Sequence, residues 1–295
     1  MKCISWNCRG LGNPAAVRAL KKLLKSQNPD MVFLMETRLQ KSDRKAKSSL
    51  LCGPLSNMFM IDCVVANGRR SGGLALIWNN VLNIDIIQST KNLIDKYITS
   101  SNIDFSLYAT RIYGFPYYSQ KHLTCAAIKD IYHDRISACW LIFGDFNLLL
   151  NSSEKLGGNN IDYHHTNLFN ENLNYCDLID LGYQGSDFTW ANNQTDSYHI
   201  KERIDRYCAN PNCLHSFPRY NKKHLLRYTS DHNPIMLEFY SSNECYHQNR
   251  HHKIQRFEQI WANDQDSVQV VKNAWHNSMG DQPMKLKQTL QQIAN

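Results

Sequence analysis

The sequence predicts an α/β fold for residues 1 to about 240. Short apolar runs of strand length recur along this region, and amphipathic segments of helical period lie between several of them. Hydrophobic residues make up 42% of the chain and aromatic residues 11%, which is sufficient for a core. Near residue 241 glutamine, asparagine and histidine become frequent and the strand pattern stops. We therefore predict one domain over residues 1–240 and a partly helical linker or tail over residues 241–295.

The first predicted elements are a strand, a helix and a second strand. Residues 2–7 form a short apolar run. Asn13 is a predicted N-cap, and Pro14 occupies the first position of a helix that extends to about residue 27. Apolar residues share one face of this helix, while lysines and arginines occupy the other. The apolar run over residues 31–36 predicts a second, buried strand.

The remaining elements are predicted from apolar runs of strand length and from apolar residues at helical spacing. Apolar runs predict strands over residues 74–78, 82–88, 96–100, 105–112, 138–144, 188–190, 225–228 and 235–239. Helical spacing predicts helices over residues 120–136 and 166–176 in the domain, and over residues 254–261, 268–276 and 286–293 in the tail.

Charge and composition exclude several classes of protein. The longest apolar runs are too short to cross a bilayer, and no charged-then-apolar leader opens the chain. The ten cysteines are scattered and form no CxxC pair, which is typical of reduced thiols. With a formal net charge of +7, we expect a soluble, intracellular and moderately basic protein that does not bind membranes.

One motif indicates a dinucleotide site. The segment Gly10-Leu11-Gly12-Asn13-Pro14-Ala15 matches G-x-G-x-x-A between a predicted strand and a predicted helix, and Glu36 could bind a ribose. The polar Asn7 at the end of the first strand and the lack of regular βαβ alternation argue against it. NAD(H) binding stays open as an alternative.

Polar residues stand where the predicted strands end, and there they would converge on one rim of the sheet structure. A single Asp-x-Asn step after a strand is usually a turn or a helix cap. Several such steps in one chain indicate a site, and their carboxylate and amide oxygens suit Mg²⁺ rather than Zn²⁺. These residues are Asn7, Glu36, Asp145, Asn147, Asp205, Ser230, Asp231 and His232.

The same motifs resemble the endonuclease/exonuclease/phosphatase superfamily. The opening Ile4-Ser5-Trp6-Asn7-Cys8-Arg9-Gly10 and the later Phe33-Leu34-Met35-Glu36-Thr37 are similar, more narrowly, to the apurinic-like endonuclease domain of plant LINE-type non-LTR retrotransposons. The match covers residues 1–240. The segment over residues 256–275 resembles the stretch that links such nucleases to a reverse transcriptase region. We expect that region in a full-length polyprotein and not within these 295 residues. The other motifs occur in the family's order: Gly72-Gly73-Leu74, Ile112-Tyr113-Gly114, Gly144-Asp145-Phe146-Asn147, Asp187-Phe188-Thr189-Trp190, Arg203-Ile204-Asp205-Arg206 and Ser230-Asp231-His232.

The resemblance implies a four-layer α/β sandwich, in which two packed mixed sheets are flanked by helices. It also implies a Mg²⁺ cofactor, with Mn²⁺ as a substitute. Glu36 would be the principal ligand of this ion, helped by Asn7 and Asp231.

Roles for the other residues also follow from the resemblance. Asp145 and Asn147 would orient the attacking water and a phosphate oxygen, and Tyr113 would hydrogen-bond the scissile phosphate. Asp205 would hold His232 in its working tautomer. Either Asp145 or His232 could be the general base, and we favour Asp145. Thr189 and Ser230 would contact the phosphate or support the residues that do. DNA binding also needs cations, and Arg9 and Arg206 are the favoured ones because they flank these motifs.

The function implied is a Mg²⁺-dependent DNA endonuclease that nicks one strand and leaves a 3′-hydroxyl for target-primed reverse transcription. A nuclear location follows only from DNA as the substrate. Three alternatives stay open: an abasic-site repair nuclease, an inositol or sphingomyelin phosphodiesterase, and an inactive DNA-binding remnant.

Overall fold

A computed structural model describes residues 1–43, 53–101, 105–195 and 198–240, together with positions 48, 50, 51, 269, 272, 273 and 275. The chain divides into two units, Met1–Asn243 and Glu244–Asn295. The second unit lies almost entirely outside the described residues, and so do the helices predicted over residues 254–261 and 286–293. The fold is therefore that of the first unit.

The strands and helices of the first unit have the following bounds. The strands are β1 (Lys2–Asn7), β2 (Met31–Met35), β3 (Leu55–Ile61), β4 (Val64–Ala66), β5 (Arg69–Ser71), β6 (Leu74–Asn79), β7 (Leu82–Thr90), β8 (Leu93–Ser100), β9 (Ser106–Tyr113), β10 (Trp140–Asp145), β11 (Lys155–Leu156), β12 (Ile179–Asp180), β13 (Trp190–Ala191), β14 (Lys201–Glu202), β15 (Asp205–Ala209), β16 (Arg219–His224) and β17 (Ile235–Tyr240). The helices are α1 (Pro14–Gln27), α2 (Lys121–Tyr132), α3 (Tyr163–Tyr175) and α4 (Pro211–Ser216).

Two six-stranded mixed sheets organise these elements. The first has the order β16-β17-β1-β2-β6-β3, and the second has the order β12-β15-β10-β9-β8-β7. Each sheet contains one parallel pair, β1 with β2 and β9 with β10, next to antiparallel neighbours. A small sheet, β11-β14-β13, and the hairpin β4-β5 stand apart from both.

The sheets pack face to face, and helices cover their outer faces. Successive side chains of β2 point to opposite sides, so Phe33 faces the second sheet while Val32 and Leu34 face α1. Both faces of β2 are buried, which explains its uninterrupted apolar run. On the outer side of the second sheet, α2 and α3 pack against Trp140 and Ile142. This arrangement confirms the predicted four-layer α/β sandwich.

The late strands differ from the prediction. Residues 225–228 form no strand; the neighbouring β16 pairs with β17 instead, and its polar, largely exposed sequence is typical of an edge strand. Strands β3 and β15 were not predicted, because polar residues interrupt the first and charged residues begin the second. The strand predicted over residues 188–190 begins only at Trp190.

The sheet order also argues against a dinucleotide-binding fold. Although β1 and β2 are parallel, the next neighbour of β2 is the antiparallel β6. The G-x-G-x-x-A segment is tied to the second strand end by a bond from the Leu11 amide to the Thr37 carbonyl at 2.9 Å. Within the described residues, no helix is both long and apolar enough to cross a bilayer.

Candidate active site

The predicted strand-end residues meet at one end of the sandwich. Asn7 ends β1, and Glu36 directly follows β2 in the first sheet. In the second sheet, Asp145 at the end of β10 is paired with Tyr113 of β9 and with Asp205 of β15. The two sheets are joined here by the Asn7 amide, whose Nδ2 lies 3.2 Å from Asp145 Oδ2 and 3.3 Å from Glu36 Oε1.

Glu36 is the centre of the first half of the site. Its backbone adopts a left-handed conformation (φ 51°), which turns the side chain into the cleft as β2 ends. The Tyr113 hydroxyl donates to Glu36 Oε1 at 2.9 Å. Two guanidinium groups face Oε2, Arg9 at 3.7 Å and Arg38 at 3.5 Å. The Arg38 contact was not predicted from the sequence, because nothing in its motif marks it.

Asp145 is the centre of the second half. Its Oδ1 accepts the backbone N–H of Asn147 at 2.9 Å, and its Oδ2 faces the Asn7 amide. Asn147 also adopts a left-handed backbone (φ 55°), and its Nδ2 donates to the Gly114 carbonyl at 2.9 Å. Burial and the charge of Asp205 raise the pKa of Asp145. Asp145 therefore holds a proton more readily than an exposed aspartate does.

His232 and Asp205 form a buried pair beside Asp145. His232 Nδ1 lies 2.9 Å from Asp205 Oδ2, and Nε2 lies 3.9 Å from Asp145 Oδ2. Burial disfavours the imidazolium, but the charge and hydrogen bond of Asp205 outweigh it and raise the pKa of His232. The pair therefore holds Nδ1 as a donor and leaves Nε2 directed at the cleft.

Thr189 and Ser230 support this pair from behind and do not face the cleft. The buried Thr189 hydroxyl accepts the backbone N–H groups of Ile204 and Asp205 at 3.1 and 3.0 Å. The buried Ser230 hydroxyl donates to the Asn7 carbonyl at 2.7 Å and accepts the His232 N–H at 3.1 Å. Both hydroxyls thus hold the backbone around the pair, which agrees with a supporting role, while their direct contact with a phosphate stays a prediction.

Asp231 and Arg9 face each other across the first half of the site. Asp231 Oδ2 accepts the Trp190 indole N–H at 3.0 Å and lies 3.3 Å from Arg9 Nη1. The Arg9 side chain is 45% exposed and lies between Asp231 and Glu36. Positive charge is thus accommodated between these two carboxylates.

Arg206 does not reach the cleft. Its guanidinium is fully buried and pairs with Glu154 at 2.9 Å and with Asp180 at 2.7 Å. Arg203 pairs with the same two carboxylates, at 2.7 and 2.8 Å. The predicted contact of Arg206 with substrate is therefore wrong; its motif gives the fold a buried ion cluster.

Gly144 sets the close approach of β9 and β10 next to Asp145. Its φ is +138°, and a Cβ at this position would lie 1.9 Å from the Ile112 carbonyl oxygen. Any side chain must therefore push the two strands apart at the site.

We expect Gly144→Ala to lower the thermal midpoint and to abolish most catalysis, because the displaced backbone carries Asp145. Thermal unfolding and a phosphodiesterase assay would measure both effects. Gly12→Ala is a matched control, because a Cβ at Gly12 meets nothing within 4 Å. Retention of full stability and activity by Gly144→Ala would contradict the close packing of these strands.

The donor set of the first half fits a hard divalent cation. Glu36 and Asp231 offer carboxylate oxygens and Asn7 offers an amide oxygen, the ligand types that Mg²⁺ prefers. Ligand atoms of Asp145, Asp205 and His232 also lie within 4.8 Å of one another. The Asp205–His232 hydrogen bond and the raised pKa of His232 make that group a proton-holding relay and a poor cation site.

Solved structures share this fold. The endonuclease domain of TRAS1, a telomere-specific non-LTR retrotransposon, is similar with a TM-score of 0.58 and 13% identity, over 81% of this chain and 97% of that chain. The AP endonuclease LMAP from Leishmania major has a TM-score of 0.62 and 13% identity, over 80% and 86%. TDP2 from C. elegans has a TM-score of 0.52 and 18% identity, over 81% and 75%.

Sequence comparison gives the family. No curated protein sequence matches the chain. The sequence model of the Endonuclease/Exonuclease/phosphatase family matches residues 4–232, which include both halves of the site. The predicted resemblance at this level is thereby confirmed, and the chain belongs to the Endonuclease/Exonuclease/phosphatase family.

Proposed function

We propose that the chain is a divalent-metal-dependent DNA endonuclease of LINE-type, plant retrotransposon origin. It would nick one strand and leave a 3′-hydroxyl that primes reverse transcription. The observation that carries the proposal is the junction of the Glu36 half and the Asp145–His232 half through Asn7. An acidic cation site and a proton relay are the two components that phosphodiester hydrolysis requires.

Glu36 would hold a Mg²⁺ ion, assisted by Asn7 and Asp231, and Mn²⁺ would substitute. When bound, this ion supplies Lewis-acid stabilisation of the charge that develops on the phosphoryl group. The Tyr113 hydroxyl is kept protonated, because burial and the nearby charge of Glu36 raise its pKa. It would donate a hydrogen bond to the scissile phosphate.

Asp145 would act as the general base. It would take a proton from the attacking water while the water oxygen bonds to phosphorus and the bond to the 3′-oxygen breaks. The departing 3′-oxygen takes a proton from solvent water and becomes the 3′-hydroxyl. The backbone N–H of Asn147 and the side-chain amide of Asn7 hold the carboxylate of Asp145 in place. His232, protonated and oriented by Asp205, would donate from Nε2 to a phosphate oxygen. We prefer this division of roles to the alternative in which His232 is the general base.

Two sequence features favour retrotransposon origin over the related activities, and the fold is compatible with it. The opening motif resembles plant LINE nucleases, the TRAS1 endonuclease shares the fold, and residues 256–275 resemble a linker to a reverse transcriptase. We therefore propose residues 1–240 as the nuclease domain and residues 241–295 as a tail toward a reverse transcriptase region. Chromosomal DNA as substrate implies a nuclear site of action.

Nicking of supercoiled plasmid tests the function. We expect Mg²⁺ to support conversion to open circles, EDTA to abolish it, and added Mg²⁺ or Mn²⁺ to restore it. Glu36→Gln should lose the activity because it removes the principal anionic ligand. Glu171→Gln, on the exposed face of α3, is the matched control. Nicking that survives EDTA would contradict the proposal.

The products and substrates distinguish the alternatives. DNA polymerase should extend the nicks directly if they carry a 3′-hydroxyl. Strong preference for abasic over intact DNA would identify a repair nuclease instead. Release of phosphate or choline phosphate from inositol phosphates or sphingomyelin would identify a small-molecule or lipid phosphodiesterase. Salt-sensitive DNA binding without turnover would identify an inactive remnant.

A further inference from the structure

The connection from β9 to α2 is fixed rigidly to the catalytic end of β10. The Gly114 N–H donates to the Asp145 carbonyl at 2.7 Å, and Asn147 Nδ2 donates to the Gly114 carbonyl at 2.9 Å. A Cβ at Gly114 would lie 2.1 Å from the Phe146 carbonyl oxygen, so the two backbones are in close contact. Residues just beyond Gly114 therefore have a defined position relative to Asp145.

Tyr118 is an exposed aromatic ring that is nevertheless held in place. Its ring packs edge-on against His165, with centroids 4.6 Å apart and an interplanar angle of 88°. Asp162, the N-cap of α3, contacts the same His165 at Nδ1 and acts on the Tyr118 hydroxyl, whose pKa it raises. The side chain is still 66% exposed. A ring fixed on one side and open on the other is preorganised for stacking.

Only a short stretch of chain separates the same ring from Gly114, which contacts the end of β10. Tyr118 is four residues beyond Gly114, so the two Cα atoms are at most about 14 Å apart. A DNA strand whose phosphate lies at Asp145 would thus bring a base within a few nucleotides of this ring.

Lys121 directly follows the turn Tyr118–Gln120, and its backbone N–H donates to the Tyr118 carbonyl. It is the first residue of α2, partly buried, and it forms no ion pair with any of the residues that the structure describes. Burial lowers the pKa of Lys121, whereas the charges of Glu202, Asp145 and Asp162 raise it. Asp145 and Asp162 are thus among the carboxylates whose charge acts on this ammonium. A partly desolvated cation in this position suits a phosphate.

We propose that Tyr118 and Lys121 form a nucleotide subsite beside Asp145. Lys121 binds a backbone phosphate adjacent to the scissile one, and the open side of Tyr118 stacks on an unpaired base of the same strand. The subsite rests on the proposed DNA endonuclease function and adds a substrate preference. Nicks should form faster where the bases flanking the cleavage point are unpaired, since a paired base cannot leave its own stack without cost.

Binding in EDTA tests the subsite without cleavage. Fluorescence anisotropy would measure the affinity for a short labelled single-stranded oligonucleotide and its dependence on salt. We expect Tyr118→Ala to weaken binding about fivefold to 100-fold, the effect of losing one base–aromatic stack, while Tyr118→Phe keeps most of the affinity. Lys121→Gln should lower the salt slope by about one. Tyr175→Ala and Lys129→Gln are the matched controls, at an exposed tyrosine of α3 and a lysine of α2.

A base analogue gives a direct signature of stacking. We expect 2-aminopurine at an unpaired position near the cleavage point to be quenched by the wild type and by Tyr118→Phe, and to stay bright with Tyr118→Ala. Equal affinity and equal quenching for wild type and Tyr118→Ala, with nicking intact, would overturn the subsite alone. Absence of both DNA binding and nicking in the wild type would overturn the proposed function and the subsite together.

Discussion

His232→Asn is expected to slow plasmid nicking by about 10²–10⁴-fold, the usual contribution of a general acid or base. His232 Nε2 is directed at the cleft, 3.9 Å from Asp145 Oδ2, while Nδ1 is occupied by Asp205. An asparagine cannot carry the proton that the imidazolium would direct at the phosphate. Initial rates on supercoiled plasmid at saturating Mg²⁺ would measure the loss.

Folding must be separated from chemistry in this test, because His232 is buried. Thermal unfolding of His232→Asn and of the second variant His232→Gln would show whether the fold persists. His215→Asn, at an exposed histidine of α4, is the control. A folded His232 variant that nicks within tenfold of wild type would contradict the role of this residue.

Asp205→Asn gives an independent test of the pair. An asparagine keeps the shape but can donate to Nδ1, which would favour the wrong tautomer of His232. We expect the nicking rate to fall by a similar factor. The double variant with His232→Asn should be hardly slower than either single variant, because the effects of residues that act as a unit are not additive. Additive losses would mean that the two residues act separately.

Much of the site could be predicted because apolar runs define where strands end. The runs before Asn7, Glu36 and Asp145 mark three strand ends in buried parallel pairs, and such ends meet at one edge of a sheet. The turn conformations of Glu36 and Asn147 could not be predicted, since a left-handed backbone at a non-glycine residue depends on the contacts around it. The resemblance supplied the residue roles, and the structure shows which of those residues face the cleft.

The arginines show what a sequence cannot decide. Arg9 and Arg206 both flank motifs of the candidate site, and their motifs carry no sign of which one is exposed. Arg9 follows a strand end and reaches the cleft, whereas Arg206 lies inside β15, between carboxylates that come from residues 154 and 180. Burial of this kind depends on segments distant in sequence, and β15 itself was missed because charged residues begin it. Arg38 was missed because nothing in its motif marks it, and Tyr118 because the His165 that packs against it lies far along the chain.

Arg206→Met should therefore act on stability rather than on DNA binding. Among the described residues, Glu154 and Asp180 would keep only Arg203 as an ion-pair partner, and Arg206 also donates to the carbonyls of Leu148 and Arg203. Removing one member of a buried ion cluster costs about 3–5 kcal/mol. For a domain of this size we expect the thermal midpoint to fall by roughly 6–20 °C. Arg18→Met, at an exposed arginine of α1, should leave it unchanged.

The contribution of the buried ion cluster to stability depends on pH. Burial would raise the pKa of Asp180, but the charge of Arg206 and the bond from Arg203 hold it at about 2. Because this value is below that of an unfolded aspartate, about 3.9, the cluster stabilises the fold above pH 4 and loses this contribution as the pH falls toward 2. The difference in thermal midpoint between wild type and Arg206→Met should therefore be largest near neutral pH and smaller at pH 3.

If Arg206 contacted DNA instead, the opposite result would be expected, and the same variant tests it. A phosphate contact at Arg206 would give a variant of normal stability whose DNA affinity has a salt slope lower by about one. The buried cluster predicts the reverse, a destabilised variant whose folded fraction keeps the wild-type slope. Arg9→Met should show the phosphate-contact pattern, because Arg9 is half exposed beside Glu36 and Asp231. Comparison of the two variants thus distinguishes an arginine that contacts the substrate from one that stabilises the strand carrying Asp205.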